Sequence, residues 1–460
     1  MKKLWVMPAV AVALLTSCTT QTTTDSGEAD TDGVITVWTL EDVEDRIAKT
    51  KEMAAAFGAA NDIEVEVVAI AEDQFDSVLA AEAAGGTLPD VVAALSLAGV
   101  QSLQVNELLN TEMSADVVEQ LGADTFSESA LELTRDGDTQ LGVPSDAWAQ
   151  LLLYRKDLFD AEGLEPPTSW EALETAASTL NKEGMAGIVS ATTPGDSFTQ
   201  QSFEYVALPN GCELVDDSGD VTLDSAECVA AFELYNTLLT ESSVSGNQDV
   251  DTTRATYFAG KAAMVIWSSF ILDELAGLRD DALPTCAECK QDKAFLAENT
   301  GVVGPLEGAS GETAGYGEVV SWAPTPDAEP ETADFIEYMM DDAYVDWLGL
   351  APEGKVPVRQ GTADEPTKFV DAWGDLEAGV DRLAPLSDFY SQDVIDTIVE
   401  GTKSFDRWGL PQGQGALVGA TLSSLPVPQA LNEMVTGGLS PEEAATQATT
   451  DVQEIADSMN

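Results

Sequence analysis

Histidine is absent from all 460 residues. That excludes serine and cysteine nucleophile triads in their usual form, imidazole acid–base catalysis and every metal site built on imidazole. Carboxylate chemistry is the enzymatic route left open, and 82 Asp and Glu supply too many candidates for one pair to stand out. A glycosidase pair has no spacing along the chain that would mark it. Basic residues are nearly as scarce: 20 Lys and Arg leave a net charge of −62. So negative a surface repels nucleic acid and anionic lipid, and net anion binding would need a local basic pocket. The charge reads most simply as a solubility device, suited to saline surroundings. Long apolar runs are missing too. After residues 4–15 none approaches the roughly 20 residues of a membrane helix.

That one run has a role of its own. Lys2 and Lys3 precede it, and it is short for a membrane span, which is the layout of a secretory leader. Leu15-Thr16-Ser17-Cys18 resembles the lipobox of bacterial lipoproteins, in which cleavage before the cysteine leaves it lipidated. The expectation is a signal peptide over 1–17, a lipidated Cys18 and a flexible threonine-rich tether over 18–33, with lipid as the sole membrane attachment outside the cytoplasm. Loss of Lys2 and Lys3 with the leader takes the net charge to −64.

Four cysteines remain: Cys212, Cys228, Cys286 and Cys289. An even number in an exported chain favours disulfides, with three connectivities open. Proximity favours Cys212 with Cys228 and Cys286 with Cys289. The alternative for Cys286-x-x-Cys289 is a redox or zinc motif, and zinc would need both other cysteines because no histidine exists.

The length exceeds a usual single core and suggests two or more domains. Residues 35–38 alternate into a strand, a helix runs through Ile47, Met53 and Phe57, and a second strand covers 63–70. A helix over 75–84 and a strand over 88–92 follow. This alternation predicts a parallel, doubly wound sheet. Residues 142–173 read GVPSDAWAQLLLYRKDLFDAEGLEPPTSWEAL. A short polar corner leads into a buried strand at 151–154, and one or two helical turns over 157–163 end at glycine. Pro166 and Pro167 forbid helix, and Thr168 is expected to cap a new one with Glu171 three positions on. Ser440, Pro441, Glu442 and Glu443 open a final helix with a serine cap, proline at its first position and acids in its first turn.

The order of parts in 142–173 resembles the extracellular solute-binding proteins of family 1, sugar-binding subunits of ABC importers related to maltose-binding protein. "PDVV" at 89–92, "FAGKAAMVIW" at 258–267, the helix over 332–340 and "KVPVR" at 355–359 carry the same resemblance. It extends from Ile35 almost to Asn460. It implies an α/β, periplasmic-binding-protein-like fold of two discontinuous lobes joined by a hinge, with the ligand cleft between them. Lobe 1 would comprise 34–145 plus 316–355, and lobe 2 would comprise 146–315 plus 356–460. Crossings are expected near 143–148, 311–316 and 354–359.

Ligands of open α/β sheets sit outside the carboxyl ends of strands. That selects residues 38–42, 72–74, 95–99 and 267–270. A sugar needs aromatic faces for its C–H surfaces and fixed acceptors for its hydroxyls. Trp148, Trp267, Phe270 and Tyr316 are candidate platforms, with Ser268 beside Trp267. Glu41, Asp42, Asp73, Asp146 and Glu318 are candidate acceptors, and Gln74 both donates and accepts. Trp38 serves equally well as core, and Asp42 and Asp73 equally well as charges at helix starts. Trp322 and Trp347 sit in packing patterns.

The resemblance places Asp146 and Trp148 on the cleft floor and a stacking aromatic at Trp267 or Phe270. In the glycine-rich segment 405–415, Trp408 and Gln414 become second-lobe contacts. Arg359 either meets a ligand anion or ties the crossing to a neighbouring acid. The function implied is a monomeric, cofactor-free and metal-free subunit that is not an enzyme. It would capture a sugar, oligosaccharide or polyol by hinge closure and deliver it to an ABC permease. Two alternatives remain open: the same fold holding an anion such as a glycerol phosphate or an osmolyte, and a carboxylate-dependent glycoside hydrolase.

Overall fold

The computed structural model describes residues 33–41, 43–71 and 74–459, so the leader, Cys18, most of the tether, Asp42 and Asp73 lie outside the described residues. Strands β1 (Val34–Thr39), β2 (Glu64–Ala69) and β3 (Val91–Leu95) pair in parallel, with Trp38 of β1 opposite Val68 and Val92. Helix α1 (Glu44–Asn61) joins the first two and buries Met53, Ala54 and Phe57. Gly58 lets it lie close to the start of β2, since a Cβ there would meet the Ile63 carbonyl oxygen at 2.6 Å.

Five further strands build the frame: β4 (Val143–Arg155), β5 (Met264–Ser268), β6 (Thr300–Val303), β7 (Thr313–Pro324) and β8 (Val356–Pro357). The first-lobe order is β8-β4-β7-β3-β1-β2. The parallel expectation holds for β1, β2 and β3 and fails for β7, which runs antiparallel to both β3 and β4. A chain coming back from the other lobe enters the sheet from the opposite end.

The expected polar corner at 143–148 is also strand. β4 is 13 residues long; its first half pairs with β7 and β8, and its second half with β5 and β6 of the second lobe. Ser145, Asp146 and Gln150 interrupt its apolarity, yet all three are buried and hydrogen-bonded. β7 makes the companion passage, pairing at Gly315 and Tyr316 with β9 (Phe405–Asp406) and further on with β4. Phe369 packs edge-on against Tyr344 of the first lobe at 4.8 Å, and the chain reaches the second lobe where the Arg382 N–H bonds to the Leu278 carbonyl.

Local signals decide most helix ends. Gly163, at φ 68°, ends the helix Lys156–Glu162. Ser440 and Glu443 form a capping box on Pro441–Ser458. The cap after Pro166-Pro167 is one residue later than expected: Ser169, not Thr168, accepts the Ala172 N–H at the start of Trp170–Leu180. Thr168 instead closes the turn by donating its N–H to the Pro166 carbonyl.

The second lobe centres on Leu151, Leu152 and Leu153, all fully buried. Cys212 bonds Cys228 and Cys286 bonds Cys289. The zinc reading of Cys286-x-x-Cys289 is thereby overturned, and among the described residues no group of three or more His, Cys, Asp or Glu could hold a metal ion. The Cys212–Cys228 bridge ties the turn after helix Ser197–Ala207 to the start of helix Ala226–Glu241. Its sequence separation of 16 sets the expected contribution. The double substitution Cys212→Ala/Cys228→Ala should lower unfolding free energy by about 3 kcal/mol, read by denaturant titration. Among the described residues no helix is long and apolar enough to cross a membrane.

Candidate functional site

Where β4 and β7 pass between the lobes they floor a cavity of about 350 Å³. Strand alternation puts Asp146 and Trp148 on one face, and the antiparallel register sets them opposite Val320 and Glu318. Glu41 after β1 and Ser96 after β3 form the first-lobe wall, at the carboxyl ends of their strands. Phe270, after β5, and Gln201 face them from the second lobe, while Gly354 and Lys355 close a third side.

Lys355 organises the charges. Its Nζ lies 2.7 Å from Glu41 and 3.5 Å from Asp146, and 4.3 Å from the ring centre of Trp347. Asp146 Oδ1 accepts from Ser145 Oγ and Trp347 Nε1, both at 2.7 Å. Arg46 stands 3.6 Å from Glu41 and 3.5 Å from Glu353. Burial opposes every charge here, and the outcomes differ. At Glu41, Lys355 and Arg46 outweigh burial and hold the carboxyl below its usual range. At Lys355, Asp146 and Glu41 outweigh it and hold the ammonium above its own. At Asp146 burial wins despite Lys355, and the carboxyl is raised. These acids are fixed acceptors whose oxygens are already partly bound by Lys355, Ser145 and Trp347, so they form a preset polar wall.

Glu318 is held from both lobes. One oxygen accepts the Leu97 N–H at 2.8 Å, at the start of helix Leu97–Val105, and the other pairs with Arg407. The Arg407 guanidinium lies over Tyr316 at 4.5 Å and 3.5 Å from Glu204. The aromatic side of the cavity is Trp148, half-buried, with Tyr316 at 5.9 Å and Phe270 at 6.4 Å between ring centres. Phe270 rests on Gly354, where an added Cβ would fall 1.9 Å from its ring.

Of the residues expected from sequence, the cavity gathers Glu41, Asp146, Trp148, Phe270 and Glu318, with Tyr316 packed behind Trp148. Others lie elsewhere. Trp38 is in the first-lobe core with Phe75 and Leu79. Trp267 packs on Phe198 at 4.7 Å and beneath Arg254, because side chains alternate along β5 and its face turns inward. Between Trp267 and Phe270, the cleft therefore takes Phe270. Ser268 and Gln414 are half-buried and Gln74 is exposed, all outside the cavity lining. Trp408 donates to the Cys212 carbonyl in the second-lobe core. Arg359 is buried away from the cleft: it donates to Thr125 Oγ1 and to the carbonyls of Met340 and Leu121, and pairs with Asp341 at 3.5 Å. Sequence reasoning missed Arg46, Gln201 and Lys355. Lys355 carried a usable signal, as a rare cation opening the "KVPVR" segment.

Two lobes exchanging β-strands across a polar and aromatic cleft define the periplasmic-binding-protein fold. The model for "Bacterial extracellular solute-binding protein" matches residues 52–378, and the chain belongs to that family. It is 27% identical over 386 residues to the "Putative ABC transporter periplasmic-binding protein YcjN" of Escherichia coli K12, covering 81% of this chain and 84% of that one. In fold it is similar to the cyclic alpha-maltosyl-1,6-maltose binding protein of Arthrobacter globiformis, with TM-score 0.69, 20% identity and coverage of 92% and 99%. A solute-binding protein of Agrobacterium radiobacter K84 in complex with ribitol matches with TM-score 0.61, 18% identity and the same coverage.

Proposed function

We propose that the chain is the substrate-binding subunit of an ABC importer and that its cleft takes a sugar, oligosaccharide or polyol. The observation that carries this is the half-buried face of Trp148 set beside Asp146, Glu41 and Glu318 in one cavity. An aromatic face receives the C–H side of a ring, and charged acceptors receive hydroxyls. At about 350 Å³ the cavity is near the small end of ligand pockets, which run from roughly 300 to 1,000 Å³. The similar proteins named for maltosyl-maltose and ribitol support the ligand class, and the relative named as an ABC transporter protein supports the importer. Burial of Arg359 removes the cation on which the anionic alternative leaned.

The closing bodies are 34–145 with 316–370, and 146–315 with 371–460. Residues 356–370 ride on the first of them, because Arg359 and Phe369 are anchored there. Ligand contacts from both bodies favour the closed state, which docks on the permease. A lipid at Cys18 keeps the monomer near it. A thermal-shift panel of maltose, ribitol and laminaribiose against amino acids and divalent metals tests the ligand class. One carbohydrate at a hundredfold excess over its Kd should stabilise the protein by about 2.7 kcal/mol. Silence across a full set of sugars and polyols rejects the proposal.

A further inference from the structure

Behind the wall where the Phe270 ring rests on Gly354, each side of the lobe boundary contributes a buried carboxyl, near enough that the charge of one raises the other. Asp273 lies in helix Ile271–Leu275 of the second lobe, directly after Phe270. Glu353 immediately precedes Gly354 and Lys355, in the segment that stays with the first lobe. Asp273 is fully buried, and neither of its carboxyl oxygens has a hydrogen-bond partner. Glu353 is 2% exposed, and its Oε2 has none either. A buried acid without donors is stable as the neutral carboxylic acid and costly as the anion.

The surrounding groups relieve that cost only in part. On the same helix, Glu274 adds a second negative charge and takes Arg254 for itself at 2.8 Å. Past the helix, Arg279 is held by Asp281 at 3.0 Å. From the first lobe, Arg46 reaches Glu353 only at 3.5 Å, and Lys355 is engaged by Glu41 and Asp146. Tyr390 lies near Asp273, yet it donates its hydroxyl to the Leu272 carbonyl. Burial, then Glu353 and Glu274, push Asp273 up to about 8. Burial raises Glu353 as well.

We propose that Asp273 and Glu353 form a proton-gated contact between the lobes, closed when the pair carries a proton and opened by charge repulsion when both groups ionise. Protonated, the pair lets helix Ile271–Leu275 sit on residues 351–355 and holds the Phe270 ring against Gly354. Ionised, it pushes the second-lobe wall off the first. The sign follows from linkage. Asp273 binds its proton more tightly in the closed protein than in the unfolded chain. The stabilisation is therefore complete below the ordinary aspartate range and is lost as pH rises toward about 8. As a regulator of ligand retention the gate depends on the cleft being the ligand site; as a conformational switch it does not.

The test uses small-angle scattering and thermal melting of the ligand-free full chain at about pH 6 and pH 9. Other buried carboxyls raised in the fold, among them Glu213, Glu204 and Asp146, are present in parent and variant alike, so the comparison with variants isolates the pair. The unsubstituted protein should expand reversibly and melt lower at the higher pH. Asp273→Asn should stay compact at both, with most of that melting shift gone. If Asp273→Asn does not fold, Glu353→Gln carries the same expectation. A parent of constant dimensions, or a variant that expands as the parent does, overturns the gate. The full set of sugars and polyols added at pH 6 reports separately on the ligand class, so silence across it with a working expansion rejects the sugar reading alone.

Discussion

Lys355→Met should unfold about 3–5 kcal/mol more easily than the parent, the range for removing one partner of a buried ion pair. The substitution keeps the stem length and removes the ammonium that lies between Glu41 and Asp146. Both carboxyls are almost fully buried, so two like charges would then face each other without their shared cation. The contact of that cation with Trp347 is lost as well. The pH dependence has a defined direction. In the parent, the lowered Glu41 contributes stability that is present above the ordinary glutamate range and lost as pH falls through its own lower value. In the variant that group has lost its main partner and takes up a proton more readily. The deficit should therefore be larger near pH 8 than near pH 5, by urea titration at each. Equal deficits would show that Lys355 acts by packing alone.

Trp148→Ala carries the second large effect, this time on binding. The ring is the aromatic surface at the floor of the cavity, and it is braced by Tyr316 and Phe270 rather than enclosed by them. Loss of a central aromatic anchor costs roughly 2–4 kcal/mol of binding. Affinity for the carbohydrate found in the thermal panel should fall on the order of a hundredfold or more by calorimetry. Trp148→Phe should retain a substantial part, because a smaller face still stacks. An alanine variant that binds as tightly as the parent would remove Trp148 from the ligand platform and leave the polar wall to account for recognition.

The order of strands and helices up to β3 was legible because it rests on local alternation and local caps. What misled was long-range. The 142–173 segment divides into corner and strand when judged by apolarity, since Ser145, Asp146 and Gln150 look like surface residues. Their partners, Trp347 and Ser202, lie 201 and 52 positions away. The parallel expectation failed at β7 for the same reason: direction within a sheet is set by where the chain has been. In the cleft, the carboxyl-end rule selected Glu41, Ser96 and Phe270, and the resemblance placed Asp146 and Trp148 on the floor. Neither could separate Phe270 from Trp267, three positions apart, because only the packed second lobe shows which faces inward. Arg359 was open between a ligand anion and a neighbouring acid, and it takes the second, Asp341. Nearness to the crossing left both readings open, and the carbonyls at Leu121 and Met340 complete the tie by claiming the rest of its guanidinium.

The place of β7 has a consequence for how the molecule is made. It lies between β4 and β3, at the centre of the first-lobe sheet, yet the intervening chain builds much of the second lobe before Thr313 is synthesised. A ribosome must therefore advance to Pro324 before β3 gains its second neighbour, and to Phe369 before Tyr344 is covered. Until then the edge of β3 stands unpaired, a site for chaperones, proteases or another nascent copy. The first lobe, though it begins the chain, cannot close until most of the chain has been made.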